Sequence, residues 1–212
     1  MLKLVIFDCD GVLVDSERVT NAVFAKMLNE LGLAVSLDDM FEYFVGKSMP
    51  QCLELVTDML GKVPPKDFEE RYQTRINAAL ESELQPVAGV PEMLNELKLP
   101  YCVASSGSLE KMRTTLGITG LLRKFDGKLY SVTQVAQAKP APDVFLYAAA
   151  QCGVEPASCA VVEDTPIGVA AGRAAGMTVF GYAGLMPAMR LRRAGAHRTF
   201  AHMRKLPALL AS

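Results

Sequence analysis

The sequence predicts an α/β chain, a doubly wound parallel sheet with an all-helical segment inserted near its start. Three observations carry this. Lys3 to Phe7 is a short run rich in β-branched and aromatic residues that ends in two carboxylates and Gly11, the profile of a buried strand entering a turn. Residues 16 to 84 then keep helical spacing without a strand-like run. From Val90 onward, short apolar runs alternate with helical stretches, as they do where helices cross between parallel strands.

Taken in order, apolar Val19, Val23, Met27, Leu28 and Leu31 mark a first helix, with Ser16 able to cap it and Gly32 ending it. Met40, Phe41, Phe44 and Val45 predict a second, from near Ser36 to Gly46. Leu53, Val56, Met59 and Leu60 predict a third, stopped by Gly61 and Pro64-Pro65. Phe68, Tyr72, Ile76 and Leu80 predict a fourth. The alternating part begins with a helix from Val90 to Leu97 and a strand at Tyr101–Ala104 that runs into Ser105-Ser106-Gly107. A helix over Leu109–Leu116 and a strand within Lys128–Val132 come next. Lys139-Pro140-Ala141-Pro142 is a rigid turn leading into a helix over Val144–Cys152. A strand at Ala160–Val162 ends in Glu163-Asp164-Thr165, before a helix at Pro166–Gly176 and a strand at Met177–Gly181. Helices near Met186–Ala194 and at the end complete the chain. Boundaries near Asp15-Ser16 and Gln85-Pro86 divide it into 1–15 with 85–212 and an inserted 16–84.

Composition narrows the function classes. The 212 residues are 50% hydrophobic and 21% charged, with a formal net charge of −1, so nothing global points to nucleic acid or a membrane surface. No apolar run approaches the roughly 18 residues of a membrane span. The start lacks a signal-peptide layout, and the five cysteines are odd in number and show no C-x-x-C spacing. They read as small core residues of a protein in a reducing cytoplasm. Beyond Asp164 the chain has no acidic residue but several arginines, a weak positive bias. Oligomeric state is left open, and a monomer is compatible with all of this.

Four predicted strand ends carry polar groups in the same sense: Asp8 and Asp10, Ser105, the turn at Lys139, and Glu163 with Asp164. In a parallel sheet such ends meet along one edge. Asp8 and Asp10, two apart, fall on one side if the strand persists, and their mutual repulsion invites a divalent cation. Carboxylates, a hydroxyl and an ammonium together match the needs of phosphoryl transfer through an aspartyl-phosphate.

On these residues the chain resembles the haloacid dehalogenase superfamily, whose four motifs match Asp8-Cys9-Asp10-Gly11-Val12, Ser105, Lys139-Pro140 and Glu163-Asp164. The resemblance implies a Rossmann-like catalytic core with a helical cap, and Mg²⁺ dependence. It implies Asp8 as nucleophile and Asp10 as general acid and then base. Ser105 and Lys139 would contact the phosphoryl group, with Ser106 and Gly107 beside them. Asp8, the Asp10 carbonyl and Asp164 would hold the metal, and Glu163 would act through water. Within the superfamily the chain is similar to phosphatases of small phosphorylated metabolites, sugar phosphates or sugar-acid phosphates such as 6-phosphogluconate.

Rival readings are a β-phosphoglucomutase-like isomerase, a phosphoglycolate phosphatase, a metal-free dehalogenase and a non-catalytic protein. Family dehalogenases lack the second aspartate, present here as Asp10, and an intact motif set argues against a non-catalytic protein. Mutases carry a histidine where Thr20 stands and an arginine where Met49 stands. Gly46-Lys47-Ser48 imitates the end of a P-loop, but the earlier glycine is replaced by Phe41 and no strand precedes it. Lys47 stays a candidate for reaching a substrate anion. Gly168, Gly172 and Gly176 recur every fourth residue among alanines, a pattern for close helix-on-sheet packing. His197 and His202 lack the partners of a zinc site.

Overall fold

A computed structural model describes Met1 to Ser212 apart from Val45, Gly46 and Ser48. By contacts the chain divides into two compact units, one of residues 1–15 and 85–212 and one of residues 16–84.

The first unit is built on six strands: β1 (Leu4–Phe7), β2 (Tyr101–Ser105), β3 (Leu129–Ser131), β4 (Cys159–Glu163), β5 (Thr178–Tyr182) and β6 (Arg198–Phe200). All pair in parallel in the order β3-β2-β1-β4-β5-β6. α5 (Val90–Glu96) precedes β2. α6 (Leu109–Ile118), α7 (Asp143–Gln151), α8 (Pro166–Ala174) and α9 (Ala188–Arg193) connect successive strands, and α10 (Leu206–Leu210) closes the chain. β1 is buried at every position, which is why it reads as a continuous Leu-Val-Ile-Phe run instead of an alternating one. Phe7 is in register with Val103 on one side and Val162 on the other. The next residue, Asp8, therefore leaves the sheet beside the ends of β2 and β4. At β1 the strand order reverses direction, the position where open α/β sheets form a crevice.

The second unit contains α1 (Ser16–Glu30), α2 (Leu37–Tyr43), α3 (Met49–Leu60) and α4 (Phe68–Glu83). Phe24 is the centre of its core. Its ring lies 5.4 Å from Phe44, 5.7 Å from Phe68 and 4.9 Å from Tyr72, among buried Leu28, Met40 and Val56. Ser36 caps α2 in a reciprocal box with Asp39. Where this segment leaves and re-enters the first unit, Asp15 N donates to Gln85 O at 3.0 Å and Val14 bridges Pro86.

Some local expectations change. Ser16 is the first residue of α1, so it is not the flanking cap. The second helix ends at Tyr43, and Val45, Gly46 and Ser48, including two residues of the P-loop look-alike, lie outside the described residues. α3 begins four residues before its apolar period becomes visible at Leu53. β6 was not expected from an Arg-Thr-Phe segment, because a short edge strand with an exposed arginine carries no apolar run. All five cysteines are free, and four are buried.

Candidate active site

The end of β1 turns sharply. Gly11 adopts φ 74°, which L side chains rarely take, and Gly11 N donates to Val14 O at 2.9 Å while Leu13 N and Val14 N both return to Cys9 O. The glycine of the D-x-D-G motif thus folds the chain back behind the two carboxylates. Asp8 N donates to Val162 O at 2.9 Å, anchoring the first of them to β4.

Lys139 arrives from the turn between β3 and α7. Its side chain is only 4% exposed, and its ammonium donates to Asp8 Oδ1 at 2.6 Å, Glu163 Oε1 at 2.8 Å and Ala104 O at 3.2 Å. Three donors meet three acceptors, so a buried cation is fully satisfied. The ammonium also stands 4.6 Å over the Phe145 ring. Burial pulls the Lys139 pKa down, but Asp8 and Glu163 outweigh it and hold it above the usual lysine value. For Asp8, burial dominates: it pushes the carboxyl up to about 7 against the opposing pull of Lys139, with Glu163 and Asp10 adding to the rise.

Glu163 has both oxygens engaged. Oε1 accepts from Lys139, while Oε2 accepts from Asp164 N at 3.1 Å, Thr165 N at 3.1 Å and Thr165 Oγ1 at 3.0 Å. Thr165 Oγ1 in turn accepts from Gly168 N and caps α8. Gly168 has a specific reason to be glycine, since a Cβ there would sit 1.8 Å from Glu163 Oε1. Gly172 is different: its Cβ would meet Val179 and Val161, the close packing expected of the glycine series. Gly168→Ala is expected to lower stability by about 3 kcal/mol, the upper end for overpacking, and to displace Lys139 with Glu163. Urea unfolding measures this, and a variant as stable as the parent would mean that Glu163 re-seats freely.

Ser105, at the end of β2, is 1% exposed, and its Oγ accepts from Gly107 N at 3.0 Å. Ser108, not Ser105, caps α6, through Lys111 N at 3.1 Å. Ser131 Oγ at the end of β3 donates to Gly107 O at 2.7 Å and pins this loop. Ser106 is exposed. Asp164 is half-buried, and its Oδ1 is a buried oxygen that accepts no hydrogen bond although the residue is engaged elsewhere. Lys47 belongs to the other unit, where it is exposed.

Lys111, which sequence reasoning did not single out, lies on the first turn of α6. Its Nζ is 2.7 Å from Asp10 Oδ2. A signal existed: a lysine in the first turn opposes the helix dipole and needs a carboxylate to offset it. Burial lowers its pKa, but Asp10 more than restores it.

Asp8 and Glu163 share the Lys139 ammonium and Asp10 pairs with Lys111, with Asp164 next in the chain to Glu163. Carboxylates gathered in this way suit a divalent cation with hard oxygen ligands. Among the described residues no three His, Cys, Asp or Glu side chains form a ready-made cage. Mg²⁺ does not require one, since it keeps several waters and takes a few carboxylate, carbonyl and phosphate oxygens.

Residues 2–176 match the family of haloacid dehalogenase-like hydrolases. The chain is 31% identical to 6-phosphogluconate phosphatase of Escherichia coli over 180 residues, 84% of this chain and 81% of that protein. It is 28% identical to hexitol phosphatase A of the same organism, over 82% of this chain and 80% of that one. A haloacid dehalogenase-like protein of Agrobacterium tumefaciens superposes with a TM-score of 0.93 at 35% identity, over 100% of this chain and 98% of that chain. A hydrolase of the same family from Deinococcus radiodurans, solved with bound phosphate and sodium, gives 0.91 at 34% identity over 99% and 95%. The fold, the motif residues at one sheet edge and these likenesses agree, and the chain belongs to the haloacid dehalogenase-like hydrolases.

Proposed function

We propose that this chain is a Mg²⁺-dependent phosphatase of a small phosphorylated metabolite, a sugar phosphate or sugar-acid phosphate, working in the cytoplasm through phosphorylation of Asp8. The observation that carries the reading is the fully satisfied Lys139 ammonium holding Asp8 Oδ1 at the centre of the sheet edge. With Oδ1 fixed, Oδ2 attacks phosphorus, the P–O bond to the alcohol breaks, and Asp10 supplies the proton that the leaving oxygen takes up. Asp10 then accepts a proton from water as it attacks the phosphoryl group, releasing inorganic phosphate and regenerating Asp8. Ser105 and the Gly107 loop steady the phosphoryl oxygens with Lys139. Glu163, already bonded to Lys139 and to the turn at Asp164 and Thr165, positions both. Mg²⁺ held by Asp8, Asp164 and the Asp10 carbonyl would neutralise phosphoryl charge. Residues 16–84 would be the cap that selects substrate.

The test is phosphate release from a panel of sugar phosphates, sugar-acid phosphates and phosphoglycolate, together with β-glucose 1-phosphate plus a bisphosphate primer. Inorganic phosphate with little glucose 6-phosphate is expected. Thr20 Oγ1 donates to Glu17 O within its own helix, and uncharged Met49 gives a second phosphate no anchor. Efficient isomerisation would replace the phosphatase reading with the mutase one.

Metal binding has a pH signature. Asp8, raised from 3.8 to about 7 on folding, contributes stability that is fully present below about 4 and lost as pH rises through about 7. Mg²⁺ takes the ionised carboxylate, so its stabilisation grows over the same window. Thermal unfolding with millimolar Mg²⁺ should show a larger rise in Tm near pH 8 than near pH 5, abolished by EDTA. No shift at either pH would count against the site.

A further inference from the structure

The two lysines of the site are not equivalent. Lys139 is buried and has committed all three ammonium protons to the chain. Lys111 has a side chain 48% exposed, and among the described residues its ammonium makes one hydrogen bond, to Asp10 Oδ2. Two of its protons therefore remain available to a ligand. Its position matters as much as its exposure. Asp8 and Lys139 mark the phosphoryl side, whereas Asp10, in the proposed reaction, faces the oxygen of the departing alcohol. A cation 2.7 Å from Asp10 thus lies beside the organic part of the substrate. Gly107 lies against the same three groups: a Cβ there would stand 3.3 Å from Lys111 Cδ, a tight contact, and at ordinary distances of 3.5 Å from Ser105 Oγ and 3.8 Å from Asp10 Oδ2.

We infer that Lys111 is a specificity residue that selects phosphate esters whose alcohol carries a carboxylate, that is, phosphorylated hydroxy acids over the corresponding polyol phosphates. This rests on the phosphatase reading above, which supplies the direction of the leaving group. An anionic substituent can share the ammonium with Asp10 without displacing it, because each occupies a different proton. A neutral hydroxyl in the same place gains a weaker, uncharged hydrogen bond.

Matched pairs that differ only in that group test it: 6-phosphogluconate against sorbitol 6-phosphate, and 3-phosphoglycerate against glycerol 3-phosphate. The parent enzyme should favour the acid of at least one pair by about tenfold in kcat/KM, the size of one charge-assisted contact. Lys111→Met should remove that preference by raising KM for the acid about tenfold more than for the polyol ester, any loss transmitted through Asp10 falling on both alike, and Lys111→Arg should restore much of the preference. Equal losses for acid and polyol, chiefly in kcat, would overturn the inference and make Lys111 a positioning residue for Asp10. So would a parent enzyme without acid preference in both pairs. Binding is read separately, by calorimetry of the same four compounds on Asp8→Asn with and without Lys111→Met. If the parent releases phosphate from no ester, the phosphatase reading fails. The selection by Lys111 then stands or falls on whether the binding difference between acid and polyol disappears with Lys111→Met.

Discussion

Asp8→Asn is expected to fold and to lose turnover by on the order of 10⁴-fold or more, since an amide oxygen is a poor nucleophile and no neighbouring carboxylate can take its place. Asp10 is held by Lys111, and Glu163 has one oxygen on Lys139 and the other bonded into the turn at Asp164 and Thr165. Asparagine keeps an oxygen for the 2.6 Å bond from Lys139, so the buried cation stays partnered. The substitution also removes a carboxylate that burial disfavours, and Tm should move by only a few degrees or rise. Phosphate release together with trapping of an acid-labile, base-labile phosphoenzyme measures the effect. Turnover above about a tenth of the parent value would remove Asp8 from the nucleophile role.

Lys139→Met should be more damaging because it strikes stability and chemistry together. The side chain lies between two buried carboxylates, and taking away the cation leaves both without their shared partner. Breaking a buried ion pair from one side costs about 3–5 kcal/mol, a large share of a domain's stability. The first unit should therefore unfold at clearly lower urea concentration, and turnover should fall by roughly 10³-fold or more in whatever fraction remains folded. Added Mg²⁺ should recover part of the stability by supplying positive charge at Asp8. A variant with parental stability would mean that the carboxylates take up a proton or separate at little cost. Urea titrations with and without Mg²⁺ separate these outcomes.

How far the sequence could be read depended on whether the information was local. β1 and its D-x-D-G turn were legible because a buried strand and a left-handed glycine each leave a mark within a few residues. The inserted helices were legible for the same reason, through their apolar period and stops. Residues at the site were legible as types at strand ends, but their contacts were not. Lys139 reaches Asp8 across 131 positions, and Lys111 reaches Asp10 across 101. The first-turn place of Lys111 signals that it needs a carboxylate, but nothing local to either lysine names its partner. The glycine series shows a different limit: spacing identified close packing, which holds for Gly172. Gly168 instead makes room for one carboxylate, Glu163, at the end of the strand just before its helix, and spacing does not show which role a glycine has. β6 escaped because an edge strand needs one ladder of hydrogen bonds and little apolar side chain.

The hydrogen bond from Asp15 N to Gln85 O and the bridge between Val14 and Pro86 have a consequence for how such a chain diversifies. The segment from Ser16 to Leu84 leaves and returns through neighbouring points of one small ladder. To the sheet it is a loop whose ends are already pinned, and closure entropy depends only slowly on what lies between. Insertions and exchanges there leave Asp8, Ser105, Lys139 and Glu163 in the register set by β1, β2 and β4. The site chemistry can thus be inherited unchanged while the inserted segment is lengthened, shortened or replaced, and the doorway at Asp15 and Gln85 is where such a graft would be cut.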